Sequence, residues 1–550
     1  MKKWSVLSLL SAAMFIIVID TTIMNVSISA LVVDLNTTVS GIQSAISIYA
    51  LVMASFMLIG GKLADIIGKK RTFVIGLCIY GVGTTTASFS QNLGMLIIGW
   101  SVMEGLGAAL MMPNIQTLLR GAYDGKDRAA AYGVIGAVGA IGAALGPIVG
   151  GFLTTYASWR WAFRLELLIV ILVLVFINRI PKDQLAAKRP KFDYLGAALN
   201  IVGWSSIVLG FLMIQTYGFW LAKQPLVIGN LELAPFGLSV VPFIIGSGIL
   251  IIMLLLRWEH YLEKKEGDGL FKPTLLKIEG LTSGFAVRFM QMSIFAGFLF
   301  TYPLLLQLSF EYSAIETGLA LMPFSISLLI AAMVAARLTA RFSAKRMIQV
   351  GFLFAIAGLA VLGSTIQPNF TASDLTSGIL LGIGLGIILP LTLNLVLSLV
   401  SAKDTPETAG LNATFEQLGN SIGVALVGTI MLITLIGGLE QQINASTTIP
   451  ADDKTALIAA VGEGVELMSD TQLNEGLESA GVDEATQTEV EAIYAETRTN
   501  AFKSGIALLL FVAVMGLILT AGLPNKMLVG EDEEGKNTEA QPAGNAEESG

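Results

Sequence analysis

The sequence is poor in the residues that build most enzyme sites. It has one cysteine, Cys78, and one histidine, His260, in 550 residues. A lone cysteine allows neither an intrachain disulfide nor a thiolate metal cluster. A lone histidine excludes the histidine-rich and mixed His/Cys zinc sites. Charge is scarce as well, with 13% Asp, Glu, Lys and Arg against about 25% in an ordinary soluble domain. No basic stripe lies on a soluble face, so nucleic acid is not an expected partner.

Apolar residues fill the chain instead, at 54% of the sequence with a mean hydropathy of +0.74. They fall in runs of about 20 residues, each long enough to cross a bilayer core of about 30 Å at about 1.5 Å per residue. That order of residues excludes a string of soluble domains. The first run, Trp4 to Val33 after Lys2 and Lys3, is too long for a secretory signal, and no small-x-small cleavage site closes it. Further spans are predicted near 41–60, 72–90, 93–119, 130–155, 159–180, 194–215, 237–257, 281–307, 319–340, 346–366, 375–400, 409–437 and 501–525. Lipid offers backbone groups no partner outside a helix or a closed barrel. The predicted class is therefore an all-α polytopic membrane protein with fourteen transmembrane helices.

Charge tests that count. The formal net charge of −8 is local: residues 440–498 carry a balance of −11 and residues 527–550 one of −6, which leaves the membrane body at +9. Of the 33 Lys and Arg, 26 lie in the N-terminus, the even-numbered loops and the tail, and in the odd loops Lys223 is the clear exception. Basic residues crowd cytoplasmic loops, so both termini are expected to be cytoplasmic and the span number even. The loop Gly61 to Arg71 (GKLADIIGKKR) has a weak echo at Ala336 to Arg346 (ARLTARFSAKR). Paired halves of this kind are a transporter architecture. Residues 438–500 form the one sizeable extramembrane piece, read as a hairpin of helices at Ala451 to Met468 and Asp483 to Lys503. The acidic tail from Glu531 is expected to be disordered.

Ionisable residues inside spans are costly, about 2.5–3.5 kcal/mol for Asp at a helix centre, and are functional candidates by default. Asp20 lies mid-span in span one, followed by Thr21, Thr22 and Asn25. Glu104 is central in span four, Arg288 and Gln291 are early in span nine, and Glu416 is early in span thirteen. A membrane-buried carboxyl can load and release a proton, and when charged attracts a cationic substrate. Asp20, Glu104 and Glu416 are thus candidates for proton coupling or cation binding, and Asn25, Arg288 and Gln291 for polar positions in a substrate cavity. In the Gly61–Arg71 loop, Gly61 and Gly68 permit a tight backbone, Asp65 complements a helix N-terminus, and Lys69, Lys70 and Arg71 stay at the headgroups. Gly142, Gly146 and Gly150 recur every four residues in span five, with Pro147 and Gly151 alongside, which suits close helix approach and a bend.

These motifs resemble those of the major facilitator superfamily. Gly61–Arg71 looks like its signature loop, with Gly61, Asp65, Gly68, Lys69 and Arg71 in place. Gly142-x-x-x-Gly146-Pro147-x-x-Gly150-Gly151 is similar to the fifth-helix motif of its exporters. Asp20-Thr21-Thr22-Ile23-Met24-Asn25-Val26 looks like the first-helix motif of the fourteen-span drug:proton antiporter family. Trp159-Arg160-Trp161-Ala162-Phe163 and Phe192-Asp193-Tyr194-Leu195-Gly196 resemble segments opening its helices six and seven.

The resemblance implies two six-helix bundles, 1–181 and 280–527, with two additional helices between them in 182–279. The second bundle then contains the 438–500 loop, and 528–550 forms the tail. It also implies alternating access and proton-driven efflux in the cell membrane, with no cofactor beyond the proton gradient. The chain departs from the family at several positions. Ser101 stands where the family has a fourth-helix arginine thought to take part in proton coupling, and Glu104 stands for its Gln. Ile66 replaces an arginine after the loop's Asp. Glu166 stands where Asn is frequent, and Glu416 occupies a position often basic.

The chain reads as an acidic variant suited to cationic or zwitterionic cargo. The expected partners are a small amphipathic substrate, protons and membrane lipids, and no protein partner has a signature. Export or flipping of a lipid or lipid-like metabolite is the competing reading. A membrane-embedded lipid-modifying enzyme would need a nucleophile, acid/base pair or metal cluster at an interface, and a channel would need a filter loop; neither pattern is seen.

The alternation predicts that fluorescent-protein fusions ending at Lys70 or Lys345 light up in the cytoplasm, whereas fusions ending at Gln91 or Glu475 stay dark. Equal signals at all four would overturn the topology.

Overall fold

The computed structural model describes residues 4–527, apart from 124, 182–189, 230, 266, 340, 368–377, 402–403, 451–452, 456, 459–460, 462–465, 481 and 526. Its long helices fall where the spans are predicted. They are α1 (Ser5–Val26), α2 (Val39–Ile67), α3 (Lys69–Ser88), α4 (Leu93–Ala122), α5 (Gly125–Tyr156), α6 (Arg160–Val175) and α7 (Tyr194–Tyr217). Then come α8 (Val241–Lys264), α9 (Leu281–Ser309), α10 (Ala314–Leu338), α11 (Ala344–Thr365), α12 (Gly378–Ser398), α13 (Thr405–Ala445) and α14 (Glu484–Gly522). Twelve are long and apolar enough to cross a membrane on those grounds alone. The other two are α3, which opens on Lys69-Lys70-Arg71 and carries Thr84-Thr85-Thr86, and α6, with 16 residues.

Local chemistry sets where these helices begin. Thr38, Asn92 and Asp193 cap α2, α4 and α7 by accepting from the backbone N–H of Gly41, Met95 and Gly196. Ser313 and Glu316 form a capping box at the start of α10. Gly68 separates α2 from α3 at φ 104°, a conformation L side chains rarely adopt. Gly61 differs from the expectation. It lies inside α2 with open space around its missing side chain, so no tight turn requires it.

Helices α1–α6 form one bundle and α9–α14 another, with α7 and α8 packed on each other and α7 also seated against α2 and α13. The bundles meet along two seams, α2 with α13 and α5 with α10. The small residues of α5 account for the second seam and for the packing of α1. A Cβ on Gly142, Gly146 or Gly150 would strike Val18, Thr22 and Ile23 of α1. One on Gly151 would lie 2.4 Å from the carbonyl oxygen of Ala314, and one on Gly318 the same distance from that of Pro147. Pro147 sits inside α5, at this contact.

Side-chain ties hold the ends. Away from the basic loops, Asp34 accepts from Trp159 Nε1 at 2.9 Å and pairs with Arg160, which also donates to the Ser90 carbonyl at 2.5 Å. At the basic end, Lys70 donates to the Ile180 carbonyl at 2.6 Å and Trp258 Nε1 donates to the Asp193 carboxylate.

The extramembrane piece differs from the expected hairpin. Helix α13 runs on to Ala445, and α14 begins at Glu484 as one rod with the last span; a separate helix covers Asp470–Ser479. Much of 451–465 lies outside the described residues. The apolar positions Val461, Val490, Ile493 and Tyr494 pack together with Leu467 and Leu477, which gives these rods a reason to persist beyond the membrane. This piece touches both bundles. Glu466 accepts from Ser40 Oγ at 2.9 Å, and Glu311 accepts from the Thr471 backbone at 2.9 Å. Burial pushes the Glu466 carboxyl up, whereas the Thr471 hydrogen bonds hold that of Glu311 below its ordinary range. A two-stranded antiparallel sheet, β1 (Leu226–Ile228) with β2 (Leu231–Leu233), fills the connection from α7 to α8 and is not foreshadowed by the sequence pattern.

The α5 seam predicts that Gly146→Leu loses about 1–3 kcal/mol by overpacking, read as a lower melting temperature in detergent, whereas Gly61→Ala melts with the parent. Equal melting of both variants and parent would refute the packing account.

Candidate functional site

Two groups of polar residues stand out, one sealed inside the first bundle and one in an open cavity. The sealed group begins with the packing of α3 on α4. A Cβ on Gly83 would lie 2.6 Å from the backbone nitrogen of Glu104, and one on Gly107 would lie 2.6 Å from that of Tyr80. The two backbones therefore touch. Within α4, residues Ile97–Glu104 form a π-helical turn, a feature that re-aims side chains and recurs at functional sites.

The result is a cluster of three carboxyl groups. Asp20 of α1, Glu104 of α4 and Glu166 of α6 each bring a carboxylate oxygen within 4.8 Å of the others, and all three residues are at most 1% exposed. Trp100 Nε1 donates to both Asp20 oxygens, at 3.0 and 3.1 Å, and its ring stacks on Tyr49 of α2 with centroids 5.4 Å apart. Tyr80 and Thr84 of α3 donate to one oxygen of Glu166, at 3.1 and 3.4 Å. Glu104 faces the Glu166 carboxyl and the Tyr80 hydroxyl, and no well-aligned donor reaches its two oxygens or the other oxygen of Glu166. Among the described residues, no lysine, arginine or histidine pairs with any of the three. At the position of the family's arginine, Ser101 donates to the Ala45 carbonyl of α2 at 2.7 Å instead.

The second group lines a cavity of about 810 Å³ between the bundles, open at the end that carries the basic loops. Its floor includes Met14, Met57, Asn114, Arg288 and Glu416, and its mouth includes Asp65, Lys69, Arg120, Glu259, Lys272 and Glu407. Arg288 and Glu416 form an ion pair at 2.5 Å, and Arg288 also donates to the Leu389 carbonyl at 3.1 Å. At the mouth Lys272 pairs with Asp404 at 2.7 Å, which raises the Lys272 ammonium above its ordinary value. The other end is shut. There Gln307 donates to the Val26 carbonyl at 2.8 Å and accepts from Ser29 Oγ at 2.7 Å, and Ser27 bonds Thr154 at 2.7 Å.

The structure divides the residues singled out in the sequence. It brings Asp20 and Glu104 together, and separately pairs Arg288 with Glu416. Asn25 and Gln291 do not line the cavity. Asn25 donates to the Thr21 carbonyl of its own helix at 2.7 Å, and Gln291 is fully buried against Met292. From the signature loop, Gly61, Asp65 and Lys69 line the cavity, Gly68 forms the turn and Arg71 is exposed. The third carboxyl, Glu166, is visible in the sequence only as a departure from the family pattern. It sits near the start of a short helix beside Arg164, where a charge reads as interfacial. Trp100, Tyr80 and Thr84 carry no sequence signal that marks them as its neighbours.

This chain is similar to several drug-resistance and multidrug transport proteins. It is 28% identical over 439 residues to the puromycin resistance protein pur8 of Streptomyces alboniger, covering 78% of this chain and 82% of that one. It is 26% identical to the multidrug transporter protein MdtP of Bacillus subtilis (78% and 75% covered) and 23% identical to the multidrug efflux pump LfrA of Mycolicibacterium smegmatis (78% and 81%). Among solved structures, a bacterial homologue of the human lysosomal transporter Spinster, crystallised inward-facing and unoccupied, superposes with a TM-score of 0.58 at 15% identity, covering 95% of this chain and 98% of that one. The sequence profile of the Major Facilitator Superfamily matches residues 10–264 and 226–424. With two helical bundles, a cavity between them open at one end, and efflux transporters as relatives, the chain belongs to the major facilitator superfamily.

Proposed function

We propose that this membrane transporter is a proton-driven exporter of amphipathic organic compounds, cationic or zwitterionic, working by alternating access. The observation that carries the reading is the Asp20 carboxylate, buried in the first bundle beside two further carboxyls and with no cation paired to it among the described residues. A membrane-buried acid of this kind binds a proton when its surroundings admit one and gives it up when charge is compensated. The resistance and multidrug names of the relatives support export. The cavity supports an amphipathic cargo, because methionines line its floor together with Glu416 and Arg288.

In this reading the basic end faces the cytoplasm, so the described conformation is open to the inside. Cargo enters between α2, α4, α9 and α13, where a cationic group competes with Arg288 for the Glu416 carboxylate. Proton loading at Asp20 then changes what the first bundle presents to α5 and to the second bundle, since α5 packs directly on the α1 segment that contains Asp20.

Uptake into inverted vesicles tests this directly. An acid-inside pH gradient is expected to drive accumulation of a cationic dye such as ethidium by the parent. Asp20→Asn should lower it at least about tenfold while membrane levels stay unchanged, as for loss of a group essential to proton transfer. Parent vesicles that move none of a panel of organic cations in response to the gradient would overturn the drug-export reading and favour a lipid-like cargo.

The cavity pair predicts a second result. Glu416→Gln leaves a buried guanidinium uncompensated and is expected to cost about 3 kcal/mol of stability, read as a lower melting temperature. Adding Arg288→Gln should restore most of it. Additive losses in the double variant would show that the two do not act as a pair.

A further inference from the structure

The two halves of the chain differ where their basic loops turn. In the first, Asp65 lies among Lys62 and Lys69. The corresponding turn of the second half carries Arg337, Arg341, Lys345 and Arg346, and the sequence has no Asp or Glu from 317 to 373. Lys345 donates to the Ala521 carbonyl at 2.7 Å. The three arginines are exposed, and among the described residues their side chains have no hydrogen bond or ion pair. Arg346 stands in the first turn of α11, at the positive end of the helix dipole, where a further positive charge is unfavourable and an anion is favoured.

Beside this turn lies an apolar groove of about 550 Å³, and glycines account for it. A Cβ on Gly382 or Gly386 of α12 would strike the Phe324 and Leu328 carbonyls of α10, and one on Gly384 would lie 2.5 Å from the Gly351 carbonyl of α11. Helices α10 and α11 therefore pack closely on α12 and far less on each other, whereas their counterparts in the first bundle, α2 and α3, pack together. The gap has Ile330 and Val334 on one wall, Met347 and Val350 on the other, and Ile383 and Ile387 as its floor. Ile330, Val334 and Val350 are exposed, so the groove opens on the lipid side of the bundle. Arg346 lines its basic end. From there the α10 wall, Leu338 back to Ser327, is about 17 Å of helix, close to one leaflet of a core about 30 Å thick.

We infer that this groove binds one anionic phospholipid of the leaflet at the basic end, with an acyl chain in the gap and the phosphate on the Arg346 guanidinium. Arg341, in the turn between the lining residues Leu338 and Phe342, adds its charge at the mouth. A guanidinium presents paired N–H donors that match phosphate oxygens, and basic pockets between spanning helices select acidic headgroups. The chain supplies the dispersion contacts that α10 and α11 do not make with each other. A second copy of the protein suits the groove less well, because a symmetric contact would bring the same unpaired arginines face to face. The inference is independent of the cargo and of proton coupling.

The test is native mass spectrometry of the full-length chain in detergent, with dioleoyl phosphatidylglycerol or dioleoyl phosphatidylcholine added. The parent is expected to carry one phosphatidylglycerol and to prefer it about 30-fold, as for two basic residues at a headgroup. Arg346→Gln should lower that preference about fivefold. Arg71→Gln, the same loss of charge at the corresponding position of the first half, should keep it. Val334→Trp fills the gap and should abolish retention of the lipid. Equal affinity of the parent for both lipids, or equal effects of Arg346→Gln and Arg71→Gln, would overturn the site. So would a parent released as a dimer that Val334→Trp splits, because the groove would then hold a second copy. Should a variant fail to insert, the parent decides with a phosphatidylglycerol that carries a diazirine on its acyl chain. Cross-links are expected on peptides containing 327–350 or 383–387, and cross-links confined elsewhere would refute the inference.

Discussion

A bilayer interior offers a charge neither water nor counterion, and the first bundle buries three carboxyls there side by side. Much of the local architecture answers that constraint. Glycines at 76, 83, 99 and 107 bring α3 and α4 to backbone contact, which places Tyr80 and Thr84 where they can donate to Glu166. The π turn carries Trp100 onto Asp20 and Glu104 into the gap.

The cavity solves its charge problem differently. Arg288 and Glu416 neutralise each other across two helices of the second bundle, and Lys272 is matched by Asp404 and Glu407 at the mouth. Two chemistries are thereby kept apart in the same molecule, one in which carboxyls meet neutral donors and one another and one in which Glu416, Asp404 and Glu407 are paired with bases. None of the three clustered carboxyls lines the cavity in this conformation. In the proposed mechanism the two groups communicate through helix packing, chiefly α1 against α5.

The fourteen helices were legible because hydropathy and loop charge are independent signals that agree. For α3 and α6 the alternation of basic loops carried the argument, since one is rich in threonine and the other has 16 residues. Asp20 and Glu104 were legible as costly residues in apolar runs. Their meeting was not, because it depends on glycine contacts between helices and on a π turn that no periodicity announces. The Arg288–Glu416 pair joins positions 128 apart in sequence, and nothing local links them. Gln291 and Asn25 looked like cavity residues for the same reason as Asp20, yet each turns to its own helix or the core. The rods of the 438–500 segment were foreshadowed by small apolar clusters, but their fusion with α13 and α14 follows from helix continuity across the membrane surface, where charge and hydropathy change sign without a break in the backbone.

The α5–α10 seam is made largely of backbone, with Gly151 against the Ala314 carbonyl and Gly318 against that of Pro147. Interdigitated side chains must each find a rotamer when an interface recloses, at an entropic cost of up to about 2 kcal/mol for the longest. Bare glycine surfaces have no rotamers to find. In the alternating-access reading this seam parts and rejoins as two smooth plates, and what must break across the bundles at that end are directed bonds such as Ile315 N–H to Thr155 Oγ1 and Gln307 to the Val26 carbonyl. The barrier to opening that end would then be set by a handful of hydrogen bonds and not by the repacking of side chains.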